Sequence, residues 1–325
     1  MELPPQIDHA FRLVAAGRAP EAVLMLGRLA AQGDGPACYQ LAEWRREGQF
    51  VPQDYEAARM LYGRAGEAGI VEGTRRHLAF LAVGVGGPRD WGDSLRRLAK
   101  LARIDPLARR QLSLVRAMKL TEEGDPATTP RGEPMCDAPR VVRFRRAFTE
   151  GECNYLAQAA APLFEPAHTY DERTGQLLRN VIRTSDTAVF PWVAENPAVH
   201  ALNRRLAALS GTHAAQGEPL QVLRYAPGQE YRAHIDAIPG LDPQRLLTVL
   251  VWLNDGYQGG ETRFLEADLT VRGRRGDALL FENVDAEARP NPRAVHAGLP
   301  VTKGVKLLAS RWIRARPPPP DGAAA

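Results

Sequence analysis

The stretch Leu220-Gln221-Val222-Leu223-Arg224-Tyr225, followed by Pro227-Gly228 and then by His234-Ile235-Asp236, decides how the chain reads. Its first six residues carry the apolar and β-branched character of a strand, and Pro227-Gly228 punctuates it as a turn. In a strand, side chains two apart face the same way, so His234 and Asp236 can enter one interior together. Toward the carboxy terminus, further strand signals occupy residues 246–253, 261–264, 269–271, 278–281 and 305–314, separated by Gly259-Gly260 and Gly276-Asp277. Toward the amino terminus, residues 141–144 give another strand, and helices are expected over 150–163 and 197–209. Many short strands with this punctuation predict a double-sheeted jelly roll.

The first 120 residues have a different texture. Ala, Leu and Arg dominate, and apolar residues recur at helical spacing, as in Ala22, Leu26, Leu29 and Ala30. Asp54-Tyr55 returns as Asp90-Trp91, and Gly33 as Gly69, each at a shift of 36. Leu41-Ala42 returns as Leu78-Ala79, one residue longer. Such a period marks stacked helix pairs, each burying its apolar face on the next. Between the halves, residues 121–139 combine charge with Pro and Gly and read as a linker. The expected fold class is therefore α+β multidomain. An all-α helical-repeat domain spans 1–120, a linker 121–139, a jelly-roll domain 140–316 and a disordered tail 317–325.

Composition narrows the function classes. With 44% hydrophobic and 25% charged residues, the 325-residue chain is an ordinary soluble protein with room for two cores. No apolar run approaches the ~18 residues of a membrane span, and residues 1–5 do not open a secretory signal. Cys38, Cys136 and Cys153 are too few and too dispersed for a disulfide framework, so a reducing, cytoplasmic setting is expected. The net charge of +4 comes from dispersed arginines. The two densest groups are Arg140, Arg143, Arg145 and Arg146, and Arg272, Arg274 and Arg275. Because Arg143 and Arg145 share one side of a strand, a solvated sheet face explains them better than a nucleic-acid surface. Neither nucleic acid nor membrane is expected as a partner.

A second histidine gives the His-x-Asp pair chemical meaning. His296, in Val295-His296-Ala297-Gly298-Leu299-Pro300-Val301, precedes the last strand. Two imidazoles and one carboxylate on one face of a metal leave adjacent positions open, the arrangement of non-haem iron(II) oxygenases. The three ligands alone also suit zinc. Lys306 speaks for iron with a keto-acid: it lies on the final strand, and Leu308, Ser310 and Trp312 share its face. A lysine there needs an anionic partner if buried, such as the far carboxylate of 2-oxoglutarate. The plainer alternative is an exposed edge-strand lysine. Tyr225 can add a phenol donor to the same carboxylate, or can simply belong to the core.

Two resemblances follow from these residues. Asp54-Tyr55-Glu56-Ala57-Ala58, Leu61-Tyr62 and residues 65–69 make the region 15–114 similar to Sel1-like repeats, relatives of the tetratricopeptide repeat. In the second half the matching residues begin with Phe148, Glu152-Cys153, Arg183-Thr184-Ser185, residues 220–225, Pro227-Gly228-Gln229, Tyr231, His234 and Asp236. They continue through Arg245, Thr248, Leu253-Asn254, Gly259-Gly260-Glu261-Thr262, Phe264, residues 276–281, His296-Ala297-Gly298, Pro300-Val301, Gly304, Lys306 and Trp312-Ile313. In that order they resemble the prolyl 4-hydroxylases of the 2-oxoglutarate oxygenase superfamily.

The resemblance implies iron(II) held by His234, Asp236 and His296. It also implies 2-oxoglutarate paired with Lys306 and helped by Tyr225 and Thr248, dioxygen as cosubstrate, and ascorbate as a candidate auxiliary reductant. Arg183, Ser185, Arg245 and Trp312 occupy positions that face the peptide in relatives; alternatively Trp312 is core and the arginines brace surface loops. The implied reaction hydroxylates a prolyl residue of a protein or peptide and releases succinate and carbon dioxide. The repeats either contact that partner or serve as packing. Competing readings are a hydroxylase of a free amino acid or other small molecule, a nucleic-acid demethylase, and an inactive interaction scaffold. Two departures bear on the substrate: Leu307 stands where relatives often carry tryptophan, and Arg314 where many carry histidine.

Overall fold

The computed structural model describes residues 3–170, 177–179 and 182–317, with only the backbone described at 168–170 and 177–179. Beyond Pro317, the expected disordered tail lies outside the described residues. The chain forms two compact units: residues 1–125 with 192–201, and residues 126–191 with 202–325.

The first unit is helical. Its helices are α1 (Pro5–Ala15), α2 (Ala19–Ala31), α3 (Gly35–Glu47), α4 (Tyr55–Glu67), α5 (Val71–Val83), α6 (Trp91–Leu101) and α7 (Pro106–Ala117). The 36-residue period in the sequence becomes a period of helix starts, because α2, α4 and α6 begin at residues 19, 55 and 91. Asp54 and Asp90 are N-caps whose carboxylates accept the backbone N–H of Ala57 and Asp93, satisfying donors that a helix start leaves open. Gly33 and Gly69 both adopt φ of +89°, where a Cβ is strained, so each ends a helix and reverses the chain. Ala22, Leu26, Ala58, Leu61, Tyr62 and Phe80 are buried in the resulting core. No helix among the described residues is long and apolar enough to cross a membrane.

This unit departs from the expected boundaries. Residues 192–201, read from the sequence as part of the jelly-roll domain, belong to it. The reason is apolar. The Trp192 ring packs on Tyr55 with centroids 5.8 Å apart, and Val193 joins the same core. His200 Nδ1 lies 2.8 Å from Glu195 Oε1, and both residues are buried.

The second unit is built on two larger sheets, accompanied by two short two-stranded ones. The larger has eight strands in the order β1-β2-β10-β7-β12-β5-β4-β3. These are β1 (Gly132–Asp137), β2 (Arg140–Phe144), β3 (Glu165–Pro166), β4 (Asp186–Phe190), β5 (Leu220–Tyr225), β7 (Arg245–Trp252), β10 (Ala278–Glu282) and β12 (Lys306–Arg314). The smaller runs β9-β8-β11-β6, with β6 (Tyr231–His234), β8 (Thr262–Phe264), β9 (Leu269–Val271) and β11 (His296–Gly298). Leu223, Leu250, Trp252 and Leu308 from the large sheet share one core with Phe264 and Val271 from the small one. Alternation along each strand thus fills the space between two packed sheets. Helix α8 (Glu150–Ala160) opens with a full capping box between Thr149 and Glu152. Cys153 is buried in α8, with its thiol pushed up to about 12 by burial, as suits a packing residue.

The stretch expected as a linker is partly strand. β1 pairs with β2 as a hairpin, and Glu133 holds it by accepting from the guanidinium groups of Arg143 and Arg145. That ion cluster also accounts for Arg143 and Arg145 of the first arginine group. Pro134 and the charges of 131–137 look like loop chemistry in sequence, yet an edge strand tolerates both.

Candidate active site

His234 ends β6 and His296 begins β11, and register places them directly opposite each other. Asp236 lies beyond the strand, two residues after His234, so the expected two-residue alternation is not what orients it. Thr248 on β7 does that: its hydroxyl donates to Asp236 Oδ2 at 2.6 Å, and Asn283 Nδ2 donates to the same hydroxyl at 2.9 Å. Potential ligand atoms of the three residues all lie within 4.8 Å of one another. His234 Nε2 is 3.3 Å from Asp236 Oδ1, and His296 Nε2 is 3.7 Å from Asp236 Oδ2.

The other ring nitrogens are committed. His234 Nδ1 donates to the Arg232 carbonyl at 2.8 Å, and His296 Nδ1 to the Ala294 carbonyl at 3.0 Å. A carbonyl only accepts, so both Nδ1 atoms carry a proton, and both Nε2 atoms are left for the space beside Asp236. His234 Nε2 is buried without a hydrogen bond, an orphaned polar atom that a cation would satisfy. Burial pushes Asp236 upward, but His296, His234 and the Thr248 hydroxyl together hold its carboxyl below the usual range. Burial lowers His296 to about 4, keeping its imidazole neutral. Two imidazoles and one carboxylate suit a divalent cation that accepts N and O donors.

Residue by residue, the sequence expectations divide. Lys306, Leu308, Ser310 and Trp312 all line one cavity with His234, Asp236 and His296, as alternation along β12 requires. Its atom-free space, mouth included, is about 420 Å³. Lys306 is buried at 2% exposure, so the edge-strand alternative falls away. It sits opposite Tyr225 in register, its ammonium 5.5 Å from the Tyr225 ring and donating to the Gly260 carbonyl at 2.7 Å. Of three ammonium donors, one has that partner, which leaves capacity for an anion in the cavity. Leu223, Leu250 and Thr262 line the same cavity. The cavity thus carries a metal-ligating group and a cation, the two partners a short keto-dicarboxylate would need.

Two expectations need correction. Thr248, read as a cosubstrate contact, gives its hydroxyl proton to Asp236 and acts as a support of the ligand set. Ser185 is buried at 1% exposure and is not among the cavity's lining residues. Arg183 does line it, with its guanidinium 5.6 Å from the Tyr231 ring. Tyr231 in turn stacks on His234, with centroids 3.5 Å apart at 15°. The Arg245 guanidinium sits over the Trp312 ring, 3.7 Å from its centroid, and donates to Glu218 through bonds of 2.7 and 2.9 Å. Glu218, which the sequence did not single out, also accepts from Arg314 at 2.7 Å. Only a pair of distant arginines would have signalled it.

Non-haem iron oxygenases that consume 2-oxoglutarate are the class that joins such a donor set to a lysine-ended cavity on a double sheet. Comparison with known proteins agrees. Residues 220–314 match the 2OG-Fe(II) oxygenase superfamily. Prolyl 4-hydroxylase 1 of Arabidopsis thaliana is 32% identical over 196 residues, which cover 54% of this chain and 69% of that protein. The crystal structure of the viral collagen prolyl hydroxylase of Paramecium Bursaria Chlorella virus-1 is 27% identical with a TM-score of 0.44, covering 56% of this chain and 99% of the other. A Sel1 repeat protein from Oxalobacter formigenes is similar over 33% of this chain and 85% of its own, at 21% identity and a TM-score of 0.31. The chain belongs to the prolyl 4-hydroxylase family of 2-oxoglutarate- and iron(II)-dependent oxygenases.

Proposed function

We propose that the chain hydroxylates a prolyl residue of a protein or peptide, with release of succinate and carbon dioxide. The observation that carries this reading is the pairing of two registers across one cavity. His296 opposite His234 supplies the metal end, and Lys306 opposite Tyr225 supplies the cosubstrate end. In this reading His234, Asp236 and His296 hold iron(II), while Lys306 takes the outer carboxylate of 2-oxoglutarate. Iron, when bound, supplies the activation of dioxygen that no side chain can perform. The residues contribute placement and dryness. Asn283 and Thr248 fix the Asp236 carboxylate, Tyr231 shields one face of His234, and Leu223, Leu250 and Leu308 keep water from the space between the two ends.

The prolyl substrate is supported by the relatives' own activity and by the wall of Trp312 beneath Arg245, an apolar face with a fixed cation that suits a peptide ring and its carbonyls. The helical unit then offers a second contact for a protein substrate, raising affinity through effective concentration. The test is to supply purified protein with iron(II), 2-oxoglutarate, dioxygen and either proline-rich peptides or free proline. Succinate formed in step with a one-oxygen mass gain on peptide proline is expected. Oxidation of the free amino acid alone would replace this reading with the small-molecule one.

A further inference from the structure

Two arginine pairs far apart in sequence, Arg145-Arg146 and Arg274-Arg275, line one pocket of the second unit. None of that pocket's lining residues lines the cavity of the metal triad. We infer that it docks an acidic segment of a partner protein, whose carboxylates take the guanidinium groups of Arg146 and Arg274.

The buried carboxylate of Asp277 builds the pocket. Its Oδ1 accepts from the Arg146 backbone N–H at 3.1 Å, and its Oδ2 from the Arg274 backbone N–H at 3.1 Å. One side chain thereby ties the loop after β2 to the loop between β9 and β10. A second tie runs from the Phe148 N–H to the Gly276 carbonyl at 2.9 Å. The loops approach so closely that a Cβ at Gly276, where φ is +86°, would lie 2.2 Å from the Phe148 carbonyl oxygen. Arg146 itself is held at φ +51°, a conformation that L side chains rarely adopt. Such strain persists only where the surroundings over-determine it, and it gathers at sites that bind.

The four guanidinium groups are not equally occupied. Arg145 donates to Glu133 at 2.7 Å, and Arg275 to Glu150 at 2.8 Å. Among the described residues, the guanidinium groups of Arg146 and Arg274 meet no carboxylate, and both residues are exposed. Each is a planar fork that matches a carboxylate in two bonds. The rim decides which polyanion fits. Glu150 and Asp255 also line the pocket, and a nucleic-acid backbone, charged at every nucleotide, would be pressed against them. A peptide can set neutral residues there and place its carboxylates at the two free forks. The atom-free space, mouth included, is about 970 Å³ against about 420 Å³ in the active-site cavity, room for several residues rather than one small anion.

The test titrates the whole chain into a fluorescein-labelled hexa-aspartate peptide at low ionic strength, read by fluorescence anisotropy. Beside wild type run Arg146→Gln/Arg274→Gln and, as a charge-matched control, Arg110→Gln/Arg116→Gln on α7, where both arginines are exposed. Saturable binding that salt weakens is expected. The first pair of substitutions should weaken it about 100-fold, roughly tenfold per lost charge-assisted fork, and the control pair by less than about twofold. Each single variant is measured too, so that a folding defect at the strained Arg146 leaves Arg274→Gln as the test. Absence of saturable binding, or equal weakening by the two pairs, overturns the inference. A uridine hexanucleotide that binds more tightly than the peptide through the same two arginines overturns the acidic-peptide assignment in favour of nucleic acid.

Discussion

At the residue scale, the buried Lys306 is the most informative side chain. Burial pushes its ammonium down to about 8, partly countered by Glu261. A neutral amine cannot pair with a carboxylate, so the protonated fraction sets 2-oxoglutarate affinity. The dissociation constant for 2-oxoglutarate is expected to be level below about pH 7 and to rise about tenfold per pH unit above 8, read by titration calorimetry. An affinity unchanged from pH 7 to 9.5 would show that the lysine is not the partner. Lys306→Met should weaken binding about 100-fold, equivalent to ~3 kcal/mol for a lost buried charge partner. Thr248→Val removes the donor to Asp236 Oδ2, and iron(II) affinity should fall roughly 10- to 100-fold, as when other supports of metal ligands are lost. Unaltered iron affinity would return Thr248 to ordinary packing. Lys306 was legible because β12 is apolar around it and alternation fixes its face. Thr248's true partner was not, since the hydrogen bond joins residues on different elements, and neither Asn283 nor Glu218 carries a local signature.

At the element scale, the helical period shows how local chemistry writes architecture. Asp54 and Asp90 are equivalent caps one period apart, so Asp54→Ala and Asp90→Ala should each cost about 1 kcal/mol. Chemical denaturation followed by circular dichroism should show similar shifts for both; a large loss for one alone would mean the repeat units are not equivalent. Arg18 stands at the same place one period earlier without a side-chain cap, so the first helix start lacks the acidic signal that marks the other two. In the second unit the strands of residues 220–225, 278–282 and 306–314 were legible because they are rich in apolar residues and bounded by Gly or Pro. β1 was hidden by Pro134 and its charges, since an edge strand needs little apolar pattern. The position of Asp236 beyond its strand was equally invisible, because the sequence spacing is the same in either conformation.

At the scale of the whole molecule, two kinds of sequence signal fixed two units, while the assignment of residues 192–201 escaped both. That segment runs into the helix expected over 197–209, and only the fit of Trp192 against Tyr55 reveals where it belongs. Function survived this error because the residues that matter are held by register: His296 opposite His234, Lys306 opposite Tyr225, and Trp312 opposite Thr248. The central claim is that one cavity joins a two-histidine, one-carboxylate metal end to a lysine-ended cosubstrate end. Anaerobic calorimetry of 2-oxoglutarate into the protein, with and without iron(II), tests it most directly. One equivalent should bind tightly with iron, far more weakly without it, and weakly in either case to His296→Ala. Equal binding with and without iron, or none at all to the wild-type chain, would contradict it.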